Sequence, residues 1–389
     1  MEYFIDVAFD KLNKHGEELC GDKVELKYTK DSVILVMADG LGSGVKANIL
    51  ATLTSKIAAT MLENGASIYE TIDTVVNTLP VCNIRKLAYC TFTIIQVHQD
   101  GRAYIAEYDN PPMFLIRGGK SIEVEKKHST INGRVVKEGN FLMQEGDVLT
   151  VVSDGVVHAG VGGILNLGWQ WDNILDYLKG LSLREKCAKN ISKSLVEVCE
   201  NLYLGEPGDD TTVVSIKFRK PEVVNLFTGP PLNREDDEWV VKELMRGRGK
   251  KVVCGGTAAN IVARETNREI LVSLDYIDKS IPPTANIRGI DLVTEGVLTL
   301  SKAVEIIRNY IGAPLKDDVQ SLKGKDGASR LARLLIEDCT NLNLLIGRAV
   351  NPAHQNPDLP IDLSIKLKVV DELATHMEYL GKNVMKTYI

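Results

Sequence analysis

Four short runs of aliphatic and β-branched residues end on, or start from, an aspartate with a glycine beside it. Val33–Ala38 runs into Asp39-Gly40, and Val148–Ser153 runs into Asp154-Gly155. Gly208-Asp209-Asp210 precedes Thr212–Phe218, and Gly21-Asp22 precedes Val24–Tyr28. Each run has the β-branched and aromatic content of a buried strand bounded by turn residues. A chain built this way must bring its strand ends to water or to a counter-charge. Carboxylates that gather raise one another's pKa, so a cluster is costly unless a cation sits in it. All-oxygen ligation suits Mg²⁺ or Mn²⁺, which keep several waters of their own. A glycine after Asp39 leaves the Gly40 carbonyl free to approach such an ion. An Asp-Gly pair is also an ordinary turn, and one alone says little. Four in one stretch favour a metal centre.

The stretch after Asp39, Gly40-Leu41-Gly42-Ser43-Gly44, belongs to neither familiar phosphate loop. It lacks the Lys-Ser/Thr of a P-loop and the third-glycine spacing of a dinucleotide fingerprint. Val45, Ile49, Leu53, Ile57 and Met61 then recur every four residues, and Ile68, Ile72, Val75, Val76 and Leu79 follow with similar spacing. This predicts two consecutive helices, 45–63 and 67–79. The pair reads equally as a plain amphipathic hairpin that packs the core or as a unit whose rocking on the Gly40–Gly44 loop gates the metal centre. Further strands are predicted at Tyr89–Val97, Ala103–Tyr108 and Met113–Arg117, and further helices at Trp171–Lys179 and Arg184–Leu202. Tyr89–Val97 is apolar on both faces, as in a strand covered on two sides. The expected fold class is α+β, a central β-sandwich with helices outside it.

Arg219-Lys220-Pro221-Glu222 interrupts this pattern, and at 389 residues two domains are the default expectation. The boundaries read as 1–218 and 223–389. In the second part strands at Lys251–Cys254, Glu269–Leu274 and Leu342–Ile346 alternate with helices at Thr257–Arg264, Ser301–Tyr310, Ala328–Asp338 and Ile365–Leu380, an α/β pattern. Its most suggestive segment is Lys250–Arg264, KKVVCGGTAANIVAR, with Thr257 at the expected N-cap and Arg246, Arg248, Lys250 and Lys251 around its start. It reads as a tight strand–helix turn, with docking of a phosphate, nucleotide or phosphopeptide as the alternative. His354, in the Asn351–Pro357 loop, reads as structural. Trp169, Trp171 and Trp239 form no ligand cage legible from spacing, and nothing near Cys254 marks it as reactive.

A formal charge of −6 makes no case for nucleic acid as partner. No apolar run approaches a membrane span, and the first twenty residues are too polar for a signal peptide. Seven cysteines, none spaced CxxC, fit reduced thiols in a cytoplasm rather than disulfides or structural zinc.

In order, CGD (Cys20–Asp22), ADGLGSG (Ala38–Gly44), SDG (Ser153–Gly155) and GDDTTVV (Gly208–Val214) resemble the metal-dependent type-2C (PPM) serine/threonine protein phosphatases. The resemblance is to the bacterial branch typified by stage II sporulation protein E, over residues 1–218, and includes Asp109–Leu115. It implies two stacked antiparallel sheets flanked by helix pairs (α/β/β/α). It also implies hydrolysis of phosphoserine or phosphothreonine on a regulatory protein by a water bridging two Mn²⁺ or Mg²⁺ ions. Asp39 matches the acid that bridges both ions, with the Gly40 carbonyl as a further ligand. Asp22 matches the first-motif acid, and Asp154 and Asp209 match those that hold the other ion. Asp210 occupies a place that relatives fill with Asn or Asp. The implied partner is a phosphoprotein such as an anti-anti-sigma factor, and a homodimer is compatible. The branch's Gly- or Ala-His before the paired prolines is here Asp109-Asn110, and no Arg near the N-terminus is placed to grip phosphate. By analogy with the branch, 223–389 is a regulatory or partner-binding domain. The competing reading is a phosphatase-like signalling module that binds a ligand or partner through that second part with little catalysis.

Overall fold

The computed structural model describes residues 2–78, 90–272, 282–312, 322–349 and 365–389. The chain forms two compact units, 1–220 and 221–389. In the first, eleven strands and five helices follow in the order β1 (Phe4–Leu12), β2 (Asp22–Tyr28), β3 (Ser32–Gly40), α1 (Gly44–Glu63), α2 (Ile68–Thr78), β4 (Cys90–His98), β5 (Arg102–Tyr108), β6 (Phe114–Arg117), β7 (Lys120–Ser121), β8 (Lys127–Ile131), β9 (Arg134–Leu142), β10 (Val148–Val152), α3 (Asp154–Val157), α4 (Trp171–Arg184), α5 (Ala188–Leu202) and β11 (Thr211–Arg219). The strands make two antiparallel sheets, β1-β11-β10-β6-β7 and β2-β3-β4-β5-β9-β8.

Alternation along β3 explains the layering. Val33, Leu35 and Met37 point between the sheets, where they meet Ile5, Ile95, Leu149, Val214 and Ile216. Ile34, Val36 and Ala38 point the other way, into a second core with Ala51, Ala58, Ile72 and Val75 of α1 and α2. Residues two apart share a face, so a strand apolar at every position has a sheet on one side and helices on the other. β4 behaves likewise, with Ile95 inward and Phe92 and Ile94 under the helices; Tyr89 lies outside the described residues. α5 covers β1 and β11, and α4 covers β6. The unit is the four-layer α/β/β/α sandwich expected.

The face that α1 presents is not the one its four-residue spacing suggests. Val45, Ile49 and Leu53 are exposed, 60% in the case of Val45. Ala47, Ala51, Thr54, Ser55, Ala58 and Ala59 are buried against the sheet. Small side chains let the helix axis come close to a flat sheet, and close packing replaces bulk. β1 and the β8–β9 hairpin, turned by Asn132 and Gly133 with φ of 47° and 74°, are additional to the strands predicted.

The second unit holds β12 (Val223–Thr228), α6 (Asp237–Arg246), β13 (Lys250–Cys254), α7 (Gly256–Thr266), β14 (Leu271–Val272), β15 (Ala285–Asn286), β16 (Leu292–Thr294), α8 (Val297–Gly312), α9 (Gly327–Arg333), β17 (Asn341–Ile346), α10 (Ile365–Tyr379) and β18 (Asn383–Tyr388). The sheet order is β14-β15-β16-β13-β12-β17-β18, parallel from β16 to β18. Phe227, Val253, Val293 and Leu345 meet α6 and α7 in its core. The predicted helix Ala328–Asp338 ends at Arg333 and continues as a π-type turn, Leu334–Asp338. Of the predicted strand Glu269–Leu274 only Leu271–Val272 forms in the described part. Among the described residues no helix is long and apolar enough to cross a membrane.

Candidate metal centre

Asp22 and Asp39 face each other across the β2–β3 ladder as a directly opposed pair. Opposed residues of an antiparallel pair project to the same face, and like charges there are destabilising. Asp39 is also opposite Thr91 of β4, whose hydroxyl donates to Asn110 Oδ1 at 2.6 Å while Asn110 Nδ2 donates to Thr93 Oγ1 at 3.1 Å. Asn110, one of the two residues that depart from the branch, thus ties the 109–115 loop to the strand beside Asp39.

The other sheet supplies the remaining acids. Thr212 N donates to Ser153 Oγ at 2.8 Å, and Ser153 N donates to Thr212 O at 3.0 Å. This clasp brings Asp154, the first residue of the single-turn α3, beside Asp209 and Asp210 at the start of β11. Burial first, and then the charges of Asp22, Asp154, Asp209 and Asp210, push the Asp39 carboxyl up to about 9. Burial dominates at Asp22, raising it to about 7; the Thr212 and Ser153 hydroxyls favour its ionised form, and Asp210 and Asp154 oppose it. Asp209 is raised by burial and by Asp154, with the Asp210 N–H that it accepts at 3.0 Å and then the Lys14 charge acting the other way. The five acids therefore share one electrostatic neighbourhood at one end of the sandwich.

Asp210 already has backbone partners. Its Oδ1 accepts from Lys14 N at 3.0 Å and its Oδ2 from Gly21 N at 2.8 Å, so it holds the segment that carries Asp22. Gly21 and Gly40 are needed for packing as well as for any carbonyl reach. A Cβ on Gly40 would stand 2.2 Å from the Ala47 carbonyl oxygen of α1, and one on Gly21 would stand 2.9 Å from Asp210 Oδ2. α1 is tied to the same corner by Asn48, whose Nδ2 donates to the Cys20 carbonyl at 2.7 Å.

Do these residues suit a cation? Asp22 is 2% exposed, and among the described residues its Oδ2 has no hydrogen-bond partner. A buried carboxylate oxygen without a donor, among other carboxylates, suits a hard divalent ion with oxygen ligands. Among the described residues, as placed, no three Asp, Glu, His or Cys side chains close around one point at ligand distance. The acids are neighbours in charge that stand apart. Lys14 is the residue that motif reading missed: it lies in the polar loop before Cys20, in no recognisable motif, yet its backbone N–H holds Asp210 and its charge favours the ionised form of Asp209.

The remaining residues singled out earlier have plainer settings. α7 begins at Gly256 with Gly255 at its cap, φ +122°, so Thr257 lies inside the first turn instead of capping it. Gly255 N donates to Thr294 O at 3.0 Å. Lys250 pairs with Asp338 at 2.5 Å and with Glu222 at 3.2 Å. Burial pushes the Cys254 thiol up to about 12, and the six cysteines among the described residues are buried and in no disulfide. Trp171 stacks on Phe114 with ring centres 4.7 Å apart and donates to Pro112 O at 2.9 Å; Trp169 meets Tyr177 edge-on. The Asn351–Pro357 loop with His354, and Leu79, lie outside the described residues.

Two antiparallel sheets between helix layers, with acids from both sheets at one end, define the type-2C (PPM) class of phosphatase domain. Residues 29–219 match the family model for stage II sporulation protein E (SpoIIE), so this part of the chain is SpoIIE-like. No curated protein matches the chain. Among solved structures, similarity extends to the phosphatase domain with a regulatory fragment of SpoIIE from Bacillus subtilis. That pair is 22% identical over 56% of this chain and 64% of that one, with a TM-score of 0.47. This chain therefore spans less than two thirds of that protein fragment. The RsbU and RsbW domains of a Mycobacterium tuberculosis protein are 16% identical over 62% and 69% of the two chains, TM-score 0.49. RsbX in complex with magnesium is 19% identical over 56% and 96%, TM-score 0.42.

Proposed function

We propose that the first unit is a metal-dependent serine/threonine phosphatase that removes phosphate from a regulatory phosphoprotein. One observation carries the reading: Asp22 and Asp39 of one sheet and Asp154 and Asp209 of the other share a neighbourhood in which Asp22 Oδ2 is buried without a partner. Asp22, Asp39, the Gly40 carbonyl, Asp154 and Asp209 would hold two Mn²⁺ or Mg²⁺ ions, with Asp210 fixing the Cys20–Asp22 segment behind them. When bound, such ions supply the acidity that ionises a water for in-line attack on phosphorus.

The chain's own contribution is placement. The β2–β3 register keeps Asp22 and Asp39 on one face, the Ser153–Thr212 clasp brings Asp154 to Asp209, and Asn110 braces the strand beside Asp39. Lys14 supplies a positive charge at the rim for a phosphoryl oxygen, the part that an arginine plays elsewhere. The substrate class follows the resemblance: a phosphorylated regulator of the anti-anti-sigma type.

Phosphate release from a phosphopeptide, measured in Mn²⁺, in Mg²⁺ and in chelator, tests this. Release that needs a divalent ion and vanishes in Asp39→Asn supports the proposal. An intact, metal-binding chain that releases no phosphate under any of these conditions would favour the signalling-module reading instead.

A further inference from the structure

The second unit carries an open crevice unrelated to the acid cluster. Taken in chain order, its five parallel strands lie 3-2-1-4-5 across the sheet, and the order reverses between β12 and β17. Right-handed crossovers then send α6 and α10 to opposite faces, which leaves a gap outside the carboxyl ends of those two strands. Ligands of doubly wound sheets sit at such reversal points. A cavity of about 450 Å³ opens there, lined by Leu232, Asn233, Asp236 and Trp239 after β12, Arg348 after β17, and Tyr388 and Ile389 at and after the end of β18, with Ile389 O accepting from Arg348 N at 2.7 Å. This is the size of a small-molecule site.

Its walls offer three chemistries. Trp239 and Tyr388 are each about half exposed, 48% and 49%, presenting flat rings on a concave wall that a planar aromatic group would cover. Among the described residues Arg348 has no acidic partner, and its planar fork matches a phosphate. Lys366, packed beside Gly229 at the end of β12, is held by the Gly347 and Ala349 carbonyls, which adds positive potential at the same strand ends. Asp236 and Asn233 contribute oxygen acceptors. A carboxylate in the wall disfavours a bare anion and favours one that carries hydroxyl donors.

We propose that this crevice binds a nucleotide: base against Trp239 and Tyr388, sugar hydroxyls donating to Asp236 and Asn233, phosphate on Arg348. The inference does not depend on phosphatase activity in the first unit. The test uses the full chain as Asp39→Asn in chelator, so that the acid cluster neither binds nor consumes the probe. AMP, ADP, ATP, GMP, GDP and GTP are titrated by calorimetry and by tryptophan fluorescence, with inorganic phosphate as competitor. The expected result is saturable binding of at least one nucleotide. The quench is lost in Trp239→Phe while the heat remains. Affinity falls at least about tenfold in Arg348→Ala, the loss of a charge-assisted pair, and less in Arg348→Lys. Lys251→Ala leaves affinity unchanged. The proposal is overturned by absence of saturable binding at millimolar nucleotide. It is equally overturned if folded Arg348→Ala and Trp239→Ala bind as the parent does, or if inorganic phosphate competes as well as the nucleotide.

Discussion

Asp22 and Asp39 illustrate how one residue pair sets the behaviour of the first unit. Both carboxyls are raised, so between about pH 4 and 9 the folded chain holds protons that the unfolded chain has released. Folding stability of the metal-free protein therefore falls as pH rises through that window, the reverse of a salt-bridged carboxylate. Thermal unfolding in chelator should show Tm dropping from pH 5.5 to 8.5, and Mn²⁺ should restore more at the higher pH. Asp39→Asn removes the charge that burial penalises most. It should stabilise the metal-free protein at pH 8 by about 1 kcal/mol or more, a Tm rise of about 2–4 °C, while metal affinity falls more than about 100-fold. Calorimetry in chelator and Mn²⁺ titration read the two effects separately. Lys14→Met should lower kcat/KM for a phosphopeptide about tenfold, with metal affinity little changed, as steady-state kinetics beside metal titration will show. None of the four motifs points to Lys14, because its role depends on a loop folding back over β11, which is a long-range event.

At the scale of elements, α1 is where sequence spacing and packing part. Val45, Ile49 and Leu53 recur with helical period and do lie on one helix, but it is the intervening alanines, serine and threonine that meet the sheet. Changing Val45, Ile49 or Leu53 to Ser should cost no more than about 0.5 kcal/mol each. Ala51→Leu or Ala58→Leu should cost about 1–3 kcal/mol through overpacking; urea unfolding of the variants distinguishes the faces. The N-terminal end of α1 touches the acid corner through Ala47 against Gly40 and Asn48 against Cys20, so movement of the helix would displace Asp22 and Asp39 together. Asn48→Ala should weaken Mn²⁺ binding about tenfold with only about 1 kcal/mol lost from stability, measured by metal titration beside denaturant unfolding. The strand ends of β3, β10 and β11 were legible because apolar runs and breakers stand next to each other in the chain. β1 was not, since its run FIDVAFDKL mixes inward Ile5 and Val7 with a buried Asp6 that accepts from Ala188 N and Arg219. The Asn132-Gly133 hairpin turn was legible in principle, as the residue pair that such turns favour, and went unread because its flanking strands are polar.

For the molecule as a whole, each unit has its own sheets and its own core, so 1–220 and 221–389, expressed separately, should each unfold cooperatively. Calorimetry of the pieces and of the full chain checks this; failure of either piece to fold alone would show that its core is incomplete. Short-range order along the chain determined a good deal: the position of the strand ends, the acids upon them, the helix pair, and α/β alternation after Pro221. All of these depend on neighbours within one turn or one strand, where side-chain periodicity and backbone sterics act directly. Tertiary structure alone decided which face of α1 is buried, that Asp210 holds Gly21 and Lys14, that the Lys14 charge acts on Asp209, and that the second sheet reverses its strand order beside Trp239, Tyr388 and Arg348. Those features depend on which distant segments come together, and that is settled by the combined packing of whole layers, a quantity no local window contains.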